Sequence, residues 1–260
     1  MSATAILEAH GLTRTFGAVV AAKDINVRIN KGEIVGVIGS NGAGKTTFIN
    51  MVTGYLPPSS GDIRFDGHSI LGKQPRDITR LGMARSFQVA QLFPKLTVLE
   101  NALVALVTAE GPRPSLWRPL DTPERRARAD AIFTEFGVSA YRNALVSAVP
   151  QGARKLVDIA MALVSRPRML LLDEPTSGVS SEEKFALMDT VMAVVRRHGV
   201  TVLFVEHDME IVARYVTRIM AFYNGEVIAD GPPRSVLGDA RVQELVIGHR
   251  VAADAAGASA

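Results

Sequence analysis

Residues 39–46 read Gly-Ser-Asn-Gly-Ala-Gly-Lys-Thr, which fits the phosphate-loop spacing G-x-x-x-x-G-K-[ST]. The residue types dictate the chemistry. Gly39, Gly42 and Gly44 let the backbone turn tightly and approach a ligand with no Cβ in the way. The N–H groups of the loop can then converge on phosphate oxygens at a helix N-terminus. Lys45 adds positive charge for the β- and γ-phosphates, and the hydroxyl of Thr46 is placed to ligate Mg²⁺. Ser40, Asn41, Ala43 and Thr47 complete the expected nucleotide-binding set.

A second set of chemical groups lies further along. Four apolar residues, 169–172, are followed by Asp173 and Glu174, a Walker B pattern. A strand there would carry two carboxylates to a sheet's C-terminal edge, where nucleotides bind in such proteins. Asp173 can hold Mg²⁺, directly or through water. Glu174 is then free to orient and deprotonate an attacking water. His207 follows another apolar run, within reach of the same edge, although a histidine at a strand end is ordinarily structural. Gln88, read alone, is one polar residue after Phe87.

These groups need elements to position them. Residues 33–38 are an apolar run suited to a buried strand, and residues 47–52 suit a helix. Strand, glycine loop and helix is the order the loop requires. Residues 6–9 and 24–29 read as strands. A D-G turn at Asp66-Gly67 joins two strand segments, residues 62–65 and 68–70, and an N-G turn at Asn224-Gly225 joins residues 218–223 and 226–229. From about residue 87 to 164 the pattern turns helical. Thr97 and Glu100 form a capping box for a helix through Leu99, Leu103 and Leu106. A proline-rich loop, residues 111–119, holds Trp117 as a packing anchor. A charged helix then starts at residues 121–124, with Arg125, Arg126 and Arg128 on a solvated face. Residues 169–172 and 201–205 are buried strands, alternating with helices at 181–197 and 209–215. That alternation implies a parallel sheet covered by helices.

The 260 residues suffice for one large domain or two small ones. With 47% hydrophobic and 21% charged residues the chain can bury a sizeable core. A net charge of +3 is too mild to point to a nucleic-acid partner. No cysteine is present, which excludes disulfides and cysteine-based chemistry. The first ten residues lack the basic start of a signal peptide, and the apolar run at 98–107 is broken by Glu100 and Asn101. The chain is therefore expected to reach a membrane only through a partner.

The phosphate loop, Gln88, Asp173-Glu174-Pro175 and His207 stand in the order seen in ATP-binding cassette (ABC) ATPases. From about residue 7 to 248 the chain resembles that family, and the set is far more specific than any member of it. The resemblance implies an α/β fold: a phosphate-loop, RecA-like ATPase core with a parallel sheet, an N-terminal antiparallel β subdomain and an inserted α-helical subdomain at about 88–164. Residues 1–250 would form one domain and 251–260 a flexible tail. It makes Phe16 the aromatic that stacks on adenine, Gln88 the sensor of γ-phosphate and Mg²⁺, Glu174 the general base and His207 the switch histidine. ATP and Mg²⁺ are the implied cofactors.

The family signature aligns with residues 149–153, Val-Pro-Gln-Gly-Ala, and departs from the usual Leu-Ser-Gly-Gly-Gln. Pro150 removes a hydroxyl and Ala153 replaces a glutamine. Pro150 suits a helix's first turn, Gln151 follows it, Gly152 permits close approach, and the helix N-terminus still favours phosphate. Arg154 and Lys155 are expected to add charge there. A working but non-standard signature is the expectation, with an inactive or asymmetric site as its competitor. Residues 177–181 take the place of the loop that contacts a second subunit, with Ser180 where Asp or Asn is usual.

The resemblance further implies a homo- or heterodimer that sandwiches two ATP molecules head to tail, each touching the signature of the other chain. It implies integral membrane permease partners, a periplasmic solute-binding protein indirectly, and a peripheral place on the cytoplasmic side of the inner or plasma membrane. Within the family, residues 85–88, 96–101 and 206–209, the proline-rich insert and the signature proline are similar to ATPase subunits of branched-chain amino acid importers. An ABC ATPase of lipid or lipopolysaccharide export, and a soluble ABC-type switch, are the alternatives. A phosphate-loop kinase or GTPase would leave Gln88, the signature and His207 without a reason.

Overall fold

The computed structural model describes residues 4–86, 92–110 and 119–248. Gln88, Trp117 and residues 251–260 lie outside them. In chain order the elements are β1 (Ala5–Phe16), β2 (Val19–Asn30), β3 (Ile34–Gly39), α1 (Lys45–Val52), β4 (Ser60–Phe65), β5 (His68–Ser69), α2 (Pro75–Arg80), β6 (Met83–Ser86), α3 (Val98–Glu110), α4 (Pro123–Glu135), α5 (Gln151–Leu163), β7 (Met169–Asp173), α6 (Glu183–His198), β8 (Thr201–Val205), α7 (Met209–Tyr215), β9 (Arg218–Tyr223), β10 (Glu226–Gly231) and α8 (Pro233–Leu237). Two compact units divide the chain. The first combines Met1–Gly72 with His207–Ala260, and the second is Lys73–Glu206.

In the first unit, β2, β1, β4 and β5 form an antiparallel sheet. Beside it, β3 pairs parallel with β9, and β9 pairs antiparallel with β10 across the N-G turn. Every residue of β3 is buried, as its unbroken apolar run requires of a strand covered on both faces. Gly36 admits a helix closely: a Cβ there would stand 3.0 Å from Val216 Cγ1 and 3.2 Å from Val212 Cγ1. Phe48 of α1 packs on Phe222 of β9, with ring centroids 5.5 Å apart.

In the second unit, β6, β7 and β8 run parallel, with Ser86 opposite Leu172 and Asp173 opposite Val205. The C-terminal ends of β6 and β7 thus share one edge. Thr97 and Glu100 form the expected capping box at α3: Glu100 N donates to Thr97 Oγ1 at 3.1 Å, and Thr97 N donates to Glu100 Oε2 at 2.7 Å. Thr122 caps α4. The arginines of α4 are not all solvated. Arg126 is exposed, but Arg125 and Arg128 bind Glu110 at 2.9 and 2.6 Å. Charges spaced along one helix looked solvent-facing; the partner came from α3, which local spacing does not reveal. Strand β6 and helix α2 escaped the sequence reading, because four and six residues are too short to show a period.

Candidate functional site

The phosphate loop in the first unit is shaped by its backbone. Gly39 at the end of β3 has φ 157°, and a Cβ there would lie 2.6 Å from the carbonyl oxygen of Phe222. Gly44 has φ 101°, and its Cβ would meet Ala21 O at 2.8 Å. Both are contacts no side chain survives, so these glycines are required by space as well as by torsion. Gly44 is the N-cap of α1, which begins at Lys45. The orphan N–H groups of a helix start therefore fall within the loop. Lys45 is buried and folds back across the loop. Its Nζ donates to Gly39 O at 2.6 Å and Ser40 O at 3.0 Å. Asn41, Gly42 and Thr46 are exposed, while Ala43 is buried and Thr47 half-buried.

The hairpin that ends in Phe16 is stitched to this loop. Gly225 N donates to Ala43 O at 3.0 Å, and Lys23 N of β2 donates to Gly225 O at 2.8 Å. Phe16 is 48% exposed at the end of β1. His207, also in the first unit, is exposed, and Asp208 caps α7 through the N–H groups of Glu210 and Ile211.

In the second unit, side chains build the site. Asp173 ends β7, and its Oδ2 accepts from Arg85 Nη2 of β6 at 2.7 Å; the two side chains are 17% and 9% exposed. Glu174 follows with φ 48°, a left-handed conformation uncommon outside glycine. Its N–H donates to Val205 O of β8 at 3.0 Å, so the turn is held from the neighbouring strand. Such strain persists where surrounding structure over-determines it, and it clusters at active sites. Glu206 is buried, and its Oε1 accepts from Thr176 N at 3.0 Å and from Thr176 Oγ1. Ser86 Oγ donates to the buried Asp158 of α5 at 2.5 Å. Burial pushes the Asp158 carboxyl up, against the Ser86 bond and the Lys155 charge. Burial likewise pushes the Lys155 amine down, opposed by Asp158, Glu206, Asp173 and Glu174.

The signature residues lie at the start of α5. Pro150 is the N-cap, one position before the first turn, with φ −55° and ψ 150°. Gln151 is exposed and Gly152 half-buried. A Cβ on Gly152 would meet nothing nearer than Glu183 Oε2 at 4.0 Å, leaving its face open within this chain. Gly178 lies tightly on Gln151, whose Nε2 is 2.7 Å from where a Cβ would be. Ser180 and Glu183 bond reciprocally at the start of α6. Of the two expected charges, Arg154 turns back to Val149 O at 2.8 Å, beside the cap of the helix, whereas Lys155 is buried among carboxylates. Lys155 lies one turn on from Gln151, on the inward face, where burial of α5 overrides its polarity.

The loop and the hairpin carrying Phe16 are thus joined in the first unit. In the second unit Arg85 pairs with Asp173, Ser86 with Asp158 and Thr176 with Glu206, and Lys155 of α5 feels the charges of Asp158, Glu206, Asp173 and Glu174. Sequence order does not mark Arg85, Asp158 or Glu206 for these contacts. The available signal was a charged or hydroxyl residue in an apolar setting, at residues 85–86 and 158.

These features define a nucleoside-triphosphatase of the cassette type, and known proteins agree. The model of the family described as ABC transporter matches residues 22–177. The high-affinity branched-chain amino acid transport ATP-binding protein BraF of Pseudomonas aeruginosa is 34% identical over 94% of this chain and 98% of its own. A probable branched-chain amino acid transport ATP-binding protein LivG of Methanocaldococcus jannaschii is 32% identical over 94% and 97%. Among solved structures, an ABC-transporter cassette in its ADP conformation superposes with TM-score 0.82 at 30% identity, covering 92% of this chain and 96% of the other. A dimeric cassette in a post-hydrolysis state with ADP and Pi gives 0.74 at 26% identity, covering 88% and 99%. The chain belongs to the ABC transporter family, as an ATP-binding and ATP-hydrolysing subunit.

Proposed function

We propose that this chain powers an importer of branched-chain amino acids, or of related small polar or carboxylate solutes, by hydrolysing ATP. The observation that carries the reading is similarity over 94% of the chain to proteins named for branched-chain amino acid transport. Among the described residues no helix is long and apolar enough to cross a membrane. In this reading integral permease subunits supply the path, and this chain is peripheral on the cytoplasmic side. A periplasmic solute-binding protein would act upstream, and no nucleic acid is involved.

In this reading Phe16 stacks on adenine. The backbone from Gly39 to Gly44 and the ammonium of Lys45 hold the phosphates, aided by Thr46 and Thr47. Glu174 takes a proton from water as its oxygen attacks the γ-phosphorus. The bond to the β-bridging oxygen breaks, and ADP and phosphate leave. His207 and Gln88 orient the γ-phosphate and the water. The oxygen donors Thr46, Asp173 and Gln88 suit a hard cation, and Mg²⁺ would neutralise phosphate charge there. A second ATPase subunit presents Pro150, Gln151 and Gly152 to this chain's nucleotide. The open face of Gly152 and the dimeric cassette relative support that arrangement.

The test is reconstitution with its permease subunits in vesicles, scoring ATP-dependent uptake of a panel of amino acids and small carboxylates. Uptake of branched-chain amino acids is the expected result, and outward lipid movement with no uptake would sink the importer reading. In the same system Gly152→Asp should abolish hydrolysis while each chain still binds ATP. Normal turnover in that variant would remove the signature from residues 150–152.

A further inference from the structure

Arg14 has no part in the site as described so far, yet it lies against one of its members. Its guanidinium carbon stands 4.6 Å from the centroid of the Phe16 ring. The two residues are two apart on β1, and so share a face of the strand. Register shifts occur on both sides of Arg14, and at each the extra residue lies on β2, so the two-residue alternation of β1 is kept there.

The guanidinium is itself held. Arg14 Nη1 donates to the carbonyl of Pro57 at 2.9 Å, in the loop between α1 and β4. That loop clasps the end of β1 at further points. Ser59 N donates to Thr13 O at 2.8 Å, and Thr15 N donates to Ser59 Oγ at 3.1 Å. A planar cation, fixed from the loop that follows the phosphate-loop helix, thereby backs one face of the ring of a residue that is otherwise nearly half exposed, at 48%.

We propose that Arg14 is a positioning residue for nucleotide binding: it backs Phe16 so that the ring offers its opposite face, in a fixed rotamer, to the base of ATP. The proposal rests on the assignment of Phe16 as the base-stacking residue. An unbacked phenylalanine at a hairpin end would have to be ordered when the base arrives, and that ordering weakens binding. The cation–π contact supplies the order beforehand. The effect belongs to the base and not to the phosphates, which the loop at residues 39–46 holds independently.

The experiment measures binding of ATP and of inorganic tripolyphosphate to the full chain by calorimetry. The proteins are wild type, Arg14→Met, Phe16→Ala and the double variant. An exposed cation–π contact corresponds to a loss of about 3-fold in ATP affinity for Arg14→Met. Tripolyphosphate affinity should not move, which also reports that the fold and the loop are intact. In the Phe16→Ala background, Arg14→Met should have no further effect. Three outcomes overturn the proposal: an equal loss of ATP affinity in that background, an equal loss of tripolyphosphate affinity, or no loss from Arg14→Met while Phe16→Ala weakens ATP. If Phe16→Ala leaves ATP affinity unchanged, the stacking assignment itself falls and the proposal with it.

Discussion

The phosphate loop and the carboxylate edge are made of opposite building materials. In the loop, the backbone sets the geometry. Gly39 and Gly44 are fixed by contacts at 2.6 and 2.8 Å that any Cβ would make, and the only charged side chain, Lys45, is tied to the loop's own carbonyls. Around the end of β7, side chains set the geometry, and other side chains restrain them. Arg85 holds Asp173, Ser86 holds Asp158, and Thr176 holds Glu206. A backbone-built site is broken by adding one carbon atom. A side-chain-built site is broken by removing a partner charge.

The largest expected effect separates chemistry from binding. Glu174→Gln should lower turnover by about 10²- to 10⁴-fold while ATP is still bound and the dimer accumulates. Phosphate release and sedimentation measure the two, and near wild-type turnover would show that Glu174 is not the base. Next is Arg85→Met, which strands the Asp173 charge in a largely buried setting. It should cost about 3 kcal/mol of stability, read as a lower urea midpoint, whereas a shift within error would mean the pair is solvated. Gly39→Ala tests the other side of the contrast. Strain of about 2 kcal/mol should appear chiefly as weaker nucleotide binding, and unchanged affinity would show that the loop tolerates a side chain.

The smallest effect depends on pH. Burial raises the Asp158 carboxyl, so the stability linked to its proton is present at acidic pH and lost as pH rises through that raised value. At neutral pH the wild type therefore bears a cost that burial of this carboxyl imposes. Asp158→Asn keeps an acceptor for Ser86 and should add about 1 kcal/mol there. The gain should fade as pH drops below the ordinary carboxylate range. Unfolding curves at pH 7 and pH 4 compare the two, and a gain that grows in acid would reverse the assignment.

How legible each region was follows from the same contrast. The loop's glycines, the buried strand before it and the D-G and N-G turns were readable, because each depends on residues adjacent in the chain. The capping box of Thr97 and Glu100 was readable for the same reason. Lys155 was misread as charge offered at the start of α5, because only the packing of that helix shows its inward face. Arg85 and Ser86 lie on β6, a four-residue strand too short to carry a period, and their partners are 88 and 72 residues away. Pro150 proved to be the cap and not the first helical residue, a shift of one position that propensity does not resolve.

Sequence alone determined the phosphate-loop pattern at residues 39–46 and the two carboxylates at 173–174, because those patterns are written in local order. Only the tertiary structure decided that Arg85 restrains Asp173, that Glu174 sits in a left-handed turn held by Val205, and that Arg14 backs Phe16. The reason is physical. Torsion and backbone hydrogen bonding act between neighbours in the chain, whereas Coulombic pairing and desolvation depend on distance in space, which is settled only when the strands and helices pack.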